Sequence, residues 1–123
     1  MSANPVGWFE IYVQDLNRAA AFYEQTFACK LQSLPAPDIT MMAFPMNQDG
    51  AGCAGALVKM EGKDSGIGGT IVYFKCDDCA VEAARAAASG GTVVKNKFSI
   101  GPYGFIALFT DPDGNMIGLH SMK

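Results

Sequence analysis

The chain has 123 residues, half of them hydrophobic and 17% charged, with nine Lys/Arg against twelve Asp/Glu and a formal charge of −3. This length and composition describe one compact domain with a sizeable core. The acidic balance and the absence of any Lys/Arg cluster argue against a nucleic-acid partner. No apolar run is long enough to span a membrane and no basic-then-apolar leader is visible, so a cytoplasmic protein is the expectation.

Residues 8–14 alternate as a strand does, with Phe9, Ile11 and Val13 on one face and Trp8, Glu10, Tyr12 and Gln14 on the other. The first face reads as core. The second is amphipathic and aromatic, as suits a solvated concavity. Asp15 is placed to cap a helix running to residue 28, in which Leu16, Ala19, Ala20, Phe22, Tyr23 and Phe27 recur near helical spacing. A short strand is expected over 29–34, ended by Pro35-Ala36-Pro37-Asp38. Strands over 39–45 and 52–59 follow, with the turn Gln48-Asp49-Gly50 between them. The polar, Gly-rich residues 61–69 read as a linker.

A second unit begins about 62 or 63 residues after the first. Residues 70–76 are apolar on both faces and predict a doubly covered strand. Asp77 or Asp78 then caps an Ala-rich helix that Gly90-Gly91 terminates. A short strand over 92–95 and a loop over 99–104 come next. Strands over 105–110 and 116–121 form a hairpin through Asp111-Pro112-Asp113-Gly114-Asn115. Two βαβββ modules, about 6–60 and 70–122, therefore predict a single α+β domain. Its expected form is a curved mixed sheet that makes a ligand cup, with the helices on the convex side.

The opening strand, Asp15-Leu16, the helix with Phe22-Tyr23, and the Asp-Pro-Asp-Gly-Asn turn before the last strand together resemble the vicinal-oxygen-chelate superfamily. That superfamily includes glyoxalase I, bleomycin resistance proteins and extradiol dioxygenases. Pro5-Val6-Gly7-Trp8-Phe9-Glu10, Met42-Ala43-Phe44-Pro45, Gly55-Ala56-Leu57-Val58 and Ile117-Gly118-Leu119-His120-Ser121 are similar to a bacterial group of small glyoxalase-like proteins. The resemblance implies four metal-ligand positions. They fall on Trp8, on about Ala56, on Thr70 or Ile71 according to which Asp aligns the repeat, and on Gly118. Trp, Ala, Ile and Gly offer no side-chain donor and neutral Thr is a poor ligand, so no metal and no other cofactor is expected.

Glu10 is the only acid on its strand face and is the candidate base or ligand anchor, flanked by Trp8 and Tyr12. The bland alternative is a carboxylate held by a structural cation or by backbone amides. His120, the only histidine, shares a strand face with Met116 and Gly118 and is a candidate acid, as is Tyr103 in the glycine-bearing loop that could close as a flap. Trp8, Tyr12 and Phe105 are candidate ligand-binding aromatics, although Phe105, like Phe44 and Phe74, also reads as ordinary core. Cys76-Asp77-Asp78-Cys79 has CxxC spacing, but the two acids oppose a thiolate, and all four cysteines are expected to be free thiols. Gly66-Ile67-Gly68-Gly69 has no helix to make a phosphate loop.

The leading expectation is a metal-independent protein that binds a small organic molecule in the cup. One alternative is a lyase or isomerase using Glu10 as base with His120 or Tyr103 as acid. Another is a metal-dependent lactoylglutathione lyase-like or dioxygenase-like enzyme with non-standard ligands. A structural protein with an aromatic-filled cup is the third. A homodimer is expected from the exposed sheet edges and from the habit of the superfamily.

Overall fold

The computed structural model describes residues 4–123 and divides into two compact units. One comprises residues 8–70. The other comprises 71–123 together with residues 4–7. The chain runs β1 (Val6–Tyr12), α1 (Leu16–Phe27), β2 (Gln32–Leu34), β3 (Thr40–Ala43) and β4 (Gly55–Lys59). It then repeats the pattern as β5 (Thr70–Lys75), α2 (Cys79–Ala88), β6 (Thr92–Ser99), β7 (Phe105–Thr110) and β8 (Met116–Ser121), with a 3-10 turn at Gly101–Tyr103. This is βαβββ twice, an α+β chain with mixed pairing in each half.

In the first unit the strand order is β2-β3-β4-β1, with β4 parallel to β1 and antiparallel to β3. Asp15 starts α1 as expected, its Oδ1 accepting from the Arg18 amide at 3.0 Å. Ala28 ends the helix in the left-handed region at φ 51°. The apolar stripe of α1 packs Ala20 against Leu31 and Leu57, with Ile11, Val13 and Tyr23 around them. Gly55 is required where it stands, because a Cβ there would lie 2.4 Å from the Phe9 carbonyl and 2.5 Å from the Phe9 ring.

In the second unit the order is β5-β8-β7-β6, with β8 parallel to β5 and antiparallel to β7. Asp78, not Asp77, caps α2 by accepting from the Ala80 amide at 3.0 Å. The helix covers a core of Cys79, Ala83, Ala107 and Leu119. Ser121, almost wholly buried, donates to the Lys123 carbonyl at 2.8 Å and accepts from the Cys79 amide at 3.0 Å, tying the helix start to β8. Strand β6 is twice the expected length, running to Ser99, and meets β7 with register shifts between Val93 and Lys95 and between Lys95 and Phe98. Those irregularities break the alternation that would have marked the whole strand in the sequence.

Candidate functional site

β1 carries the site of the first unit. Alternation sends Phe9 and Ile11 toward α1 and Trp8, Glu10 and Tyr12 to the other face, where Trp8 and Tyr12 pack against Met41, Ala56 and Val58. The Glu10 carboxylate lies between the two aromatics. Its Oε1 accepts from the Tyr12 hydroxyl at 3.0 Å and its Oε2 accepts from the Trp8 indole at 3.4 Å. Burial, then the charge of Glu10 and then its hydrogen bond, raise the Tyr12 hydroxyl well above its ordinary range, so it stays protonated as a fixed donor. Glu10 is the register partner of Ala56, which pairs in turn with Ala43, and the next row of this face is Tyr12, Val58 and Met41. The carboxylate thus stands over a floor of small residues, with larger apolar side chains one row away. The three β1 residues share a face already in the sequence pattern, whereas this floor does not show there beyond the alternation that puts Met41 and Ala43 on one face of a short strand.

The second unit holds the other candidates. Lys75 and Ile106 flank His120 in register, and by alternation His120 shares its face with Gly118. Its Nε2 donates to the Tyr103 carbonyl at 2.5 Å, which ties the imidazole to the 3-10 turn. A carbonyl can only accept, so this bond places a proton on Nε2. Tyr103 is 47% exposed, and it engages His120 through its backbone. Phe105 is not on this face. It packs into the α2-side core beside Cys79 and Leu119, with the Lys97 ammonium 4.7 Å above its ring. Its packing matches the ordinary-core reading of this residue; β7 is apolar on both faces, so the sequence does not show which one α2 covers.

The four cysteines are free. Cys79 is fully buried, and Cys76 is half-buried with its thiol donating to the Phe74 carbonyl at 3.7 Å. Burial first, and then the neighbouring Glu82, push the Cys76 thiol up to about 11. That is the opposite of what a redox-active CxxC needs. A broad open groove of about 580 Å³ runs along the outer side of α1, past Glu24 and Cys29. Its one acid is spoken for, since Glu24 Oε2 accepts from the Leu31 amide at 2.9 Å.

The family model described as the Glyoxalase/Bleomycin resistance protein/Dioxygenase superfamily matches residues 6–119. The chain belongs to that superfamily. Among solved structures it is similar to methylmalonyl-CoA epimerase of Streptomyces coelicolor in complex with 2-nitronate-propionyl-CoA, at 20% identity and TM-score 0.68, over 98% of each chain. Methylmalonyl-CoA epimerase from Mycobacterium tuberculosis is similar at 17% identity and TM-score 0.71, over 100% of this chain and 93% of that one. A hypothetical protein from Bacillus halodurans C-125 is similar at 12% identity and TM-score 0.74, over 99% and 96%. At these identities the likeness is one of fold. Among curated proteins, none matches the sequence.

The metal that the superfamily implies does not fit these residues. Because Asp15 and Asp78 are the equivalent helix caps, the repeat aligns Trp8 with Ile71 rather than with Thr70. The four positions are then Trp8, Ala56, Ile71 and Gly118, a set with no metal-ligating side chain. Ala56 is fully buried, and a Cβ on Gly118 would lie 2.3 Å from the Tyr73 ring that covers it. Among the described residues no three His, Cys, Asp or Glu side chains come together as a metal cluster. No helix among them is long and apolar enough to cross a membrane.

Proposed function

We propose that this chain binds a small, partly apolar organic molecule on the face of β1 that carries Trp8, Glu10 and Tyr12, independently of a divalent metal. The observation that carries this reading is the Glu10 carboxylate, held between the Trp8 and Tyr12 donors over apolar neighbours. An apolar lining with few oriented polar groups is the usual make-up of a small-molecule site. The pairing of two copies of this chain, expected from its exposed edges, remains part of the proposal.

Trp8 is the only tryptophan, so its emission reports on the site directly. Titration of a panel of small aromatic and carbonyl compounds in the presence of a chelator should change that emission saturably for at least one class. Glu10→Gln keeps the shape but removes the charge, and loss of a charge-assisted hydrogen bond should weaken binding by about tenfold or more. Undiminished binding by E10Q would rule out Glu10 as the anchor.

A second reading draws on the same carboxylate. Two of the similar structures are epimerases, and a positioned carboxylate can take a proton from a carbon next to a carbonyl. Under this reading a methyl-branched acyl-CoA incubated in heavy water gains deuterium at that carbon, and E10Q stops the exchange. No exchange with the native chain leaves binding alone as the function.

A further inference from the structure

A second cavity lies within the second unit, on the side of its sheet that faces α2. It measures about 360 Å³ and is walled by Phe74, Phe109, Leu119 and Pro112, with Cys76, Glu82, Arg85 and Asp111 among its lining. Phe74, Phe109 and Leu119 belong to the α2-side layer, whereas His120 and Gly118 lie on the opposite strand face. The cavity is therefore no part of the site that the sequence pointed to. Its volume equals that of about a dozen waters, the scale of a molecule with roughly that many heavy atoms.

The polar end of this cavity is incomplete. Glu82 sits in the first turn of α2, and its Oε1 is buried without a hydrogen-bond partner among the described residues. Arg85, one turn further on, does not pair with it, since the ion pair seen among the described residues joins Lys97 to Asp78 at 2.9 Å. The Cys76 thiol donates to the Phe74 carbonyl and also lies in hydrogen-bonding contact with the Glu82 carboxylate, which helps to hold the thiol up, but Oε1 is still left without a donor among the described residues. A buried acceptor with no donor is a standing cost to the fold, and buried polar atoms in native proteins nearly always find a partner. With the Asp111 carboxylate already bonded to Asp113 and Asn115, the apolar walls and the unmet Oε1 suit a compact apolar body bearing one hydrogen-bond donor.

We propose that this cavity is a second ligand site, which takes a small amphipathic molecule whose amine or hydroxyl donates to Glu82 Oε1 while its apolar body lies between Phe74 and Phe109. The Oε1 acceptor selects the donor. The two rings offer favourable faces to a charged donor, and the Arg85 guanidinium in the lining opposes one.

Three probes of one shape separate the elements of the claim. Benzylamine carries a cationic donor, benzyl alcohol a neutral one, and toluene none. In amide-resolved NMR titrations of the full chain, at least one of the first two should shift the signals of Glu82, Ala86, Gly91 and Asp111 saturably. Toluene should bind at least tenfold more weakly. Whichever donor binds tighter identifies the ligand as cationic or neutral. Glu82→Met keeps the length and helix preference of the side chain but removes the acceptor, and should abolish the advantage of the donor probes. Because it also removes an unmet buried oxygen, E82M should melt at or above the native temperature. Two outcomes would overturn the proposal. One is toluene matching the donor probes, or no probe shifting these signals. The other is E82M melting more than about 5 °C lower, which would mean that Oε1 already has a partner in the fold.

Discussion

At the scale of single residues, the environment of each titratable group decides what it can do. Trp8, Glu10 and Tyr12 were legible from the sequence because alternation alone puts them on one face, and the structure adds that the carboxylate accepts from both neighbours. His120 was legible as the lone histidine, but its bond to the Tyr103 carbonyl was not, because that contact joins a strand to a turn seventeen residues away. The CxxC spacing suggested chemistry that burial removes. With its thiol pushed up to about 11, Cys76 should alkylate far more slowly than the exposed Cys53 at pH 8, and its rate should climb until about pH 11. The same shift sets a sign for stability. Between the ordinary thiol value of 9.0 and about 11, the unfolded chain has lost the Cys76 proton and the folded chain has kept it. Unfolding free energy should therefore fall as pH rises through that window, and Cys76→Ala should flatten the fall. A native chain whose stability is level from pH 9 to 11 would contradict the assigned environment.

At the scale of elements, the helix caps and the final hairpin were readable because their signals are local. Asp15 accepts from the amide three residues on, and β7 and β8 have the bounds that the Asp-Pro-Asp-Gly-Asn turn predicts. Asp15→Ala should lower stability by about 1 kcal/mol in urea unfolding. An unchanged midpoint would mean that the cap contributes nothing. β6 was read at half its length because its pairing with β7 slips twice, and a strand with bulges shows no steady period. The face of Phe105 was hidden for another reason: β7 is apolar on both sides, so periodicity cannot say which side α2 covers. Gly118 illustrates an element-level constraint that one strand's sequence does not carry. It is the register partner of Tyr73, whose ring occupies the space a side chain would need. Gly118→Ala should cost about 1–3 kcal/mol through overpacking, measured by thermal or urea unfolding, and a neutral effect would show that the Tyr73 ring yields freely.

At the scale of the whole molecule, the duplicated βαβββ pattern was visible as a repeat of strand, capped helix and three strands, and that pattern with the family match defines the fold. The chemistry does not follow from it, since one fold hosts many activities. What distinguishes this chain is that the four positions where the family resemblance implies ligands hold Trp8, Ala56, Ile71 and Gly118, while Glu10, the proposed anchor, lies two residues from Trp8 on β1, in register with Ala56. The cavity beside Glu82 had no sequence signal, because its walls come from β5, α2, β7, β8 and the turn after β7. On the proposed reading, a β1 face built on Glu10 binds its ligand without the superfamily's metal. That reading is tested most directly by native mass spectrometry and elemental analysis of chain purified without an affinity tag. No stoichiometric divalent metal should be found, and any co-purified mass should be an organic adduct that survives a chelator and is lost in E10Q. One tightly held divalent metal per chain, released together with the adduct by a chelator, would contradict that reading.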